Sequence, residues 1–277
     1  MTRPVVFFGS SPFSVPTLSK LTAADINIPF VVTFPDHPSG RHLAISSNPV
    51  KTVAARFGHK IIENLSDLGA VTLPPDSVGL VVAYGKIIKP EIMAKFNNQI
   101  YNIHPSMLPK YRGPSPLQFQ IMDGITESGV SLIRIDNEPD HGPIIARLAS
   151  QILQSDTTQT LGKRLFAEGT DLFLDFLAHP ENFPEQPQHD SAATYTSLLS
   201  RQDGFIPYEY FKKALDDDYR ITMNIASEPV TIENVFRALH PWPGVWTATP
   251  NGKRLKLVSL NPHYVQLEGK TPRLWPL

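Results

Sequence analysis

The apolar residues in the first half of the chain fall in short runs that are separated by amphipathic segments. Strands are predicted at 5–8, 28–34, 78–84 and 100–103, because each is a short and mainly apolar run, and the segments 130–135 and 144–153 are also strand-like. Among the helices between them, Ser14 is expected to cap the first, the Asn48-Pro49 pair to start the second and Gly58 to end it. A long amphipathic helix is predicted over 158–178. This alternation predicts an α/β fold, a Rossmann-like and mostly parallel sheet with helices on both faces.

The pattern changes after a polar stretch that is rich in proline. Residues 183–200 predict a semi-rigid linker, so we expect a catalytic domain over 1–182 and a C-terminal domain over 201–277. In the C-terminal domain a helix is predicted to begin at Pro229, and Asn251-Gly252 predicts a hairpin between two strands. The second domain is therefore expected to be small and rich in β-structure.

Composition excludes several function classes. The chain has no cysteine, which excludes disulfide frameworks, cysteine nucleophiles and iron–sulfur clusters. No apolar run approaches about 18 residues and the N-terminus lacks a signal-peptide pattern, so a soluble, cytoplasmic protein is expected.

The charge is unevenly distributed along the chain. The net charge is −1, but from Arg237 onward there are six basic residues and a single acidic one, Glu268. This asymmetry favours a local basic face that could meet a polyanion, although an ordinary solvated surface would look the same.

The most informative polar residues follow one predicted strand. Asn102 and His104 are two residues apart and therefore share a face at the end of that strand, and Asp140 lies in a loop between two later strands. An amide, an imidazole and a carboxylate suit chemistry at a carbonyl group, although a histidine in this position, taken alone, is more often structural. The histidines and acidic residues show no metal-ligand spacing, so no metal is expected. The sequence also lacks a nucleophile elbow, a dinucleotide fingerprint and a phosphate-binding loop.

Residues 102–113, NIHPSMLPKYRG, together with the Asp140-His141-Gly142 triplet, resemble the signature of the 10-formyltetrahydrofolate-dependent formyltransferases. The resemblance is greatest to the members that act on methionyl-tRNA. It is supported, in the family's order, by residues 8–13, 34–41 with 48–51, 82–85 and 237–244. The chain departs from the family where Pro105 replaces a usual glycine and where residues 42–45, directly after Arg41, contain no lysine.

The resemblance implies an enzyme that moves the formyl group of 10-formyltetrahydrofolate to the amino group of initiator methionyl-tRNA, for translation initiation. It implies that Asn102, His104 and Asp140 are catalytic and that neither a metal nor a membrane is involved. Folate-binding residues are expected at Tyr84, Gly85, Ser106, Met107, Leu108 and Pro109, and tRNA-binding residues at Arg41, Lys253 and Arg254. A monomer is expected, with an OB-like but shortened C-terminal domain.

Three alternatives remain at this stage. A sugar-nucleotide N-formyltransferase would keep the folate donor and change the acceptor. A hydrolase of formyltetrahydrofolate is disfavoured because the chain lacks an extra N-terminal regulatory domain. A catalytically idle nucleic-acid-binding module is disfavoured by the presence of Asn102, His104 and Asp140.

Overall fold

The computed structural model describes residues 3–39, 44–216, 219–223, 225–226 and 228–276. Its contacts separate into two compact units. The first contains residues 1–112, 129–150 and 162–194, and the second contains residues 113–128, 151–161 and 195–277. The domain limits expected from the sequence, at 182 and 201, stay a prediction.

A seven-stranded sheet in the order β5-β2-β1-β6-β7-β8-β9 forms the framework of the first unit. Strands β5, β2, β1, β6 and β7 pair in parallel, and β8 runs antiparallel to β7. The predicted Rossmann-like, mostly parallel sheet is therefore confirmed. Strands β3 and β4 form a separate antiparallel pair that the sequence analysis did not predict. The bounds are β1 (Val5–Gly9), β2 (Val31–Val32), β3 (His37–Ser39), β4 (Ala44–Ser46), β5 (Ile61–Ile62), β6 (Val78–Val82), β7 (Ile100–His104), β8 (Glu127–Arg134) and β9 (Ile144–Gln151).

Helices connect these strands, and all five residues of β1 are buried, which requires cover on both faces of the sheet. Asn48 caps α2 as predicted, since its side chain accepts hydrogen bonds from the backbone N–H groups of Val50 and Lys51. The predicted cap at Ser14 was wrong: Ser14 is the first residue of α1, and its hydroxyl donates to the carbonyl of Val82 at 2.6 Å. The bounds are α1 (Ser14–Ala23), α2 (Pro49–Arg56), α3 (Leu65–Ala70), α4 (Pro90–Ala94), α5 (Pro116–Met122) and α6 (Thr158–Ala178).

The described residues of the C-terminal part of the chain form two α-helices, a short 3-10 helix (Arg201–Gly204) and an antiparallel four-stranded sheet. The sheet has the order β10-β11-β12-β13, which confirms a small β-rich region. The predicted hairpin is present, and Gly252 has a φ of 76° in its turn, a conformation that favours glycine. The predicted helix begins later than Pro229, because the Thr231 side chain caps it. The bounds are α7 (Tyr208–Asp216), α8 (Ile232–Leu239), β10 (Trp246–Ala248), β11 (Arg254–Ser259), β12 (Tyr264–Leu267) and β13 (Arg273–Leu274).

Strands β1, β6 and β7 end at the same edge of the parallel sheet, and this carboxyl edge can form a binding site. Strands β2 and β5 lie on one side of β1, and the later strands β6 and β7 lie on the other side. The order in which strands are added to the sheet therefore reverses between β1 and β6. Gly9 pairs with Val82, and Val81 pairs with Asn102, so the ends of β1, β6 and β7 lie side by side. Open α/β sheets bind ligands at this edge, where the strand order reverses.

In the described part of the chain, no helix combines the length and the apolar character that crossing a membrane requires.

Candidate active site

The structure brings the three polar side chains predicted as catalytic into contact. Asn102 and His104 lie at the end of β7, and Asp140 lies in the loop between β8 and β9. The Asn102 amide donates to Asp140 Oδ1 at 3.2 Å, and His104 Nδ1 lies 3.4 Å from the same oxygen. One carboxylate oxygen therefore receives both the amide and the imidazole.

His104 is buried, with 4% of its surface exposed, and both ring nitrogens face acceptors. Nδ1 faces Asp140, and Nε2 lies 2.9 Å from the backbone carbonyl oxygen of Tyr111. Burial alone would lower the pKa of His104, but the charge of Asp140, its hydrogen bond and the Tyr111 carbonyl together raise that pKa above its ordinary value. An imidazolium with two N–H donors satisfies both acceptors, so this environment favours the positively charged ring.

The expected folate-binding segment that follows β7 is held by hydrogen bonds within the protein. The Ser131 hydroxyl donates to the carbonyl of Ser106 at 2.7 Å and accepts from the N–H of Leu108 at 3.0 Å. The Arg147 guanidinium donates to the Leu108 carbonyl at 3.1 Å. Ser106 and Leu108 are fully buried, whereas Met107 and Pro109 are partly exposed. These bonds fix the shape of the segment, and its exposed residues are the ones that can meet a ligand.

Tyr84 and Gly85 follow β6 at the same edge of the sheet. The Tyr84 ring is 1% exposed and packs among apolar side chains, 5.8 Å from the ring of Phe8 and 5.1 Å from that of Phe34. Burial raises the pKa of the Tyr84 hydroxyl. The Tyr84 side chain is therefore part of the core beneath this edge of the sheet. Of this pair, a ligand at the edge can contact only the backbone around Gly85, where φ is 81°.

The residues expected to bind tRNA are only partly described. Arg41 lies outside the described residues, so its role stays a prediction. Lys253 is exposed next to the hairpin turn, and Arg254 begins β11, where it pairs with Ala248. Their role in binding stays a prediction as well.

Arg237, which contributes to the basic excess of the C-terminal sequence, is bound within the second unit. Its guanidinium donates to the carbonyls of Asp156 at 2.8 Å and Leu153 at 3.3 Å and to the Asn234 side chain at 2.6 Å. Burial lowers the pKa of Arg237, and Asp156 and Glu233 oppose this shift. The sequence analysis thus overstated how much of the basic excess is free to meet a polyanion.

Sequence reasoning missed the residues that hold the site loops. The Arg112 guanidinium is buried and donates to Gln188 Oε1 at 2.9 and 3.1 Å and to Asp190 at 2.9 Å. Thr194 accepts from the N–H of Tyr111 through its hydroxyl, at 2.8 Å. Gln188 and Thr194 fall within the proline-rich stretch expected to be a linker, and no motif distinguishes them there.

The titratable side chains offer no metal site in the part of the chain that the structure describes, since no group of three or more His, Cys, Asp or Glu could hold an ion.

Comparisons with known proteins identify the family of this chain. The family described as formyl transferase matches residues 2–177. A methionyl-tRNA formyltransferase of Roseiflexus castenholzii is 38% identical over 269 residues, which are 94% of this chain and 80% of that protein. One from Heliobacterium modesticaldum is 31% identical over 266 residues, 92% of this chain and 77% of that protein.

Among solved structures, an N-formyltransferase from Helicobacter canadensis, in complex with folinic acid and dTDP-3-aminofucose, has a TM-score of 0.62. It shares 20% sequence identity and covers 96% of this chain and 95% of its own, so it supports the fold alone. The resemblance noted from the motifs is confirmed by the sequence relatives: the chain belongs to the formyl transferase family and aligns with its methionyl-tRNA formyltransferases over more than nine tenths of its length.

Proposed function

We propose that this protein transfers the formyl group of 10-formyltetrahydrofolate to the amino group of initiator methionyl-tRNA. The observation that carries the proposal is the convergence of Asn102, His104 and Asp140 at the carboxyl edge of the sheet, in a chain of the formyl transferase family. The choice of acceptor is supported by the sequence relatives, which are named methionyl-tRNA formyltransferases. The product, N-formylmethionyl-tRNA, would serve translation initiation in the cytoplasm.

The chemistry requires that a neutral amine attack the formyl carbon, which becomes tetrahedral while its oxygen gains negative charge. The His104 imidazolium would place a buried positive charge beside that oxygen. Asn102 carries two amide N–H groups, and the one that donates to Asp140 orients the other. A preorganised donor of this kind is typically worth about 10²–10³ in rate.

Asp140 would have two roles. Its charge keeps His104 protonated, and its carboxylate, with a water molecule, would relay the proton that the amine releases on attack to N10 of the folate. The bond from the formyl carbon to N10 then breaks as the tetrahedral centre collapses, and tetrahydrofolate leaves with that proton on N10. No step of this reaction requires a covalent bond to the protein.

The donor and the acceptor would be bound by different segments. The pterin ring of the folate presents hydrogen-bond donors and acceptors along one edge, which the backbone around Gly85 and the partly exposed residues Met107 and Pro109 could match. Ser106 and Leu108 would hold the shape of that segment. Arg41, Lys253 and Arg254 are proposed to contact tRNA, because arginine and lysine supply the phosphate contacts of most nucleic-acid interfaces.

The test is a formylation assay with purified protein, 10-formyltetrahydrofolate and charged initiator tRNA. We expect N-formylmethionyl-tRNA to form, and we expect His104→Ala to abolish its formation while the thermal unfolding transition is retained. A UDP- or TDP-linked amino sugar serves as the competing acceptor. Formylation of the sugar but not of the tRNA would replace the proposed acceptor, and formylation of neither would overturn the proposal. Size-exclusion chromatography of the same sample tests the expected monomer.

A further inference from the structure

Gln188 contacts both loops that carry the site. Its side-chain nitrogen donates to the backbone carbonyls of Asp140 and Gly142, both at 2.8 Å. Its side-chain oxygen accepts from the buried guanidinium of Arg112, through Nε at 3.1 Å and Nη2 at 2.9 Å. One amide group therefore joins the loop before β9 to the loop that follows β7.

Both loops contain a residue in a conformation that needs support. Asp140 has a φ of 55° and Tyr111 a φ of 60°, in the left-handed region that non-glycine residues seldom adopt. Such a conformation is unfavourable for a residue with a side chain, and it persists only when the surroundings hold it. The side-chain amide of Gln188 donates to the backbone carbonyl of Asp140, and the Thr194 hydroxyl accepts from the backbone N–H of Tyr111.

The segment that carries Gln188 is itself fixed on the first unit. Gln186 exchanges two backbone hydrogen bonds with Ile144, both at 2.8 Å. Glu185 binds the Arg134 guanidinium through two hydrogen bonds of 2.7 Å. The backbone just before Gln188 is therefore held in place within the first unit. For this reason the hydrogen bonds from Gln188 to the Asp140 loop can set the position of that loop.

We propose that Gln188 is a positioning residue for formyl transfer: its amide holds the backbone of Asp140 so that the carboxylate stays against His104. The inference rests on the proposed function for its effect on turnover. Gln188 would not touch the substrates, and it would act entirely through the placement of Asp140. The neighbouring charged groups Asp136, His141 and Asp190 pair with one another, and Asp190 also accepts a hydrogen bond from Arg112.

Two substitutions separate the two ends of the amide. Gln188→Glu keeps an oxygen that can accept from Arg112, but it removes the N–H groups that hold Asp140 and Gly142. Gln188→Ala removes both ends. Gln186→Ala is the matched control, because its side chain is exposed and its contacts with Ile144 are made by the backbone.

We expect Gln188→Glu to unfold thermally near the wild-type temperature and to lose roughly tenfold to 100-fold in kcat, since a small misplacement of a catalytic group can cost about 10²-fold. The KM for the folate donor should change little. The limb of the pH–rate profile that reports His104 should move to lower pH, and NMR titration of the His104 ring should show the same shift. Gln188→Ala should show these effects together with a lower unfolding temperature, and Gln186→Ala should behave as wild type.

The proposal is overturned if Gln188→Glu turns over at the wild-type rate, because the amide nitrogen would then be dispensable. It is also overturned if kcat falls while the His104 titration stays in place, because the loss would then come from elsewhere. The NMR titration needs no substrate. A wild-type protein that formylates neither acceptor would therefore sink the proposed function and still leave the placement of Asp140 by Gln188 open to measurement.

Discussion

Replacing Asp140 with asparagine removes one charge and little volume from the site. The carboxylate lies 3.4 Å from Nδ1 of a histidine that is 4% exposed. At that distance, and with an effective dielectric constant of about 20, a carboxylate and an imidazolium attract each other by about 5 kcal/mol. The burial that opposes protonation of His104 stays in the variant, so the pKa of His104 should fall below its ordinary value and the ring should be neutral at pH 7.

Formylation by Asp140→Asn should therefore lose both the imidazolium and the proton relay. Positioned acid–base groups typically contribute about 10²–10⁴-fold, so we expect kcat to fall by about 10³-fold. The assay is single-turnover formylation of methionyl-tRNA across a pH series. Asp136→Asn is the control, because that carboxylate pairs with His141 in the same loop. A rate within a few-fold of wild type, with an unshifted pH profile, would show that the charge of Asp140 is not used.

Three further predictions concern stability and binding. Because the pKa of His104 is raised on folding, its contribution to stability should be complete below the unfolded pKa of 6.5 and should be lost as pH rises through the folded pKa; denaturant titrations across that range measure it, and a flat profile would contradict it. Gly142→Ala should lower both the unfolding temperature and kcat, because the added Cβ would collide with the backbone carbonyl of Arg134; an unchanged melting curve and rate would show that the loop yields freely. Lys253→Ala combined with Arg254→Ala should weaken tRNA binding and lower the slope of log K against log salt by about 2, as expected for two lost phosphate contacts; a filter-binding series tests this, and an unchanged slope would remove the hairpin from the interface.

Much of the fold follows from local pattern. Alternating apolar runs predict the parallel strands, Asn48 before a proline predicts the cap of α2, and Asn251-Gly252 predicts the hairpin, because each of these signals acts within a few residues. Ser14 misled the same reasoning. Its hydroxyl bonds to Val82, 68 residues away, and no local rule includes such a partner.

Some residues of the candidate site can likewise be predicted from the sequence, and others cannot. Asn102 and His104 share a strand end, so their proximity is readable from spacing, and Asp140 could be added because a loop between strands reaches the same edge. Gln188 could not be found, because its bonds to Asp140 and Gly142 span 48 and 46 residues and depend on an exposed-looking polar stretch lying against two loops. The carbonyl of Tyr111 is a backbone group, so it leaves no trace in residue identity.

The late position of Gln188 bears on how the protein comes into being on the ribosome. Asn102, His104 and Asp140 are all synthesised before Gln188, whose amide donates to the Asp140 carbonyl, and before Thr194, whose hydroxyl accepts from the Tyr111 N–H. A nascent chain that ends before Gln188 would contain these three reactive groups without the amide that is proposed to align Asp140. Competence for catalysis should therefore arise abruptly in synthesis, once residues 186–194 have left the exit tunnel and settled on the sheet.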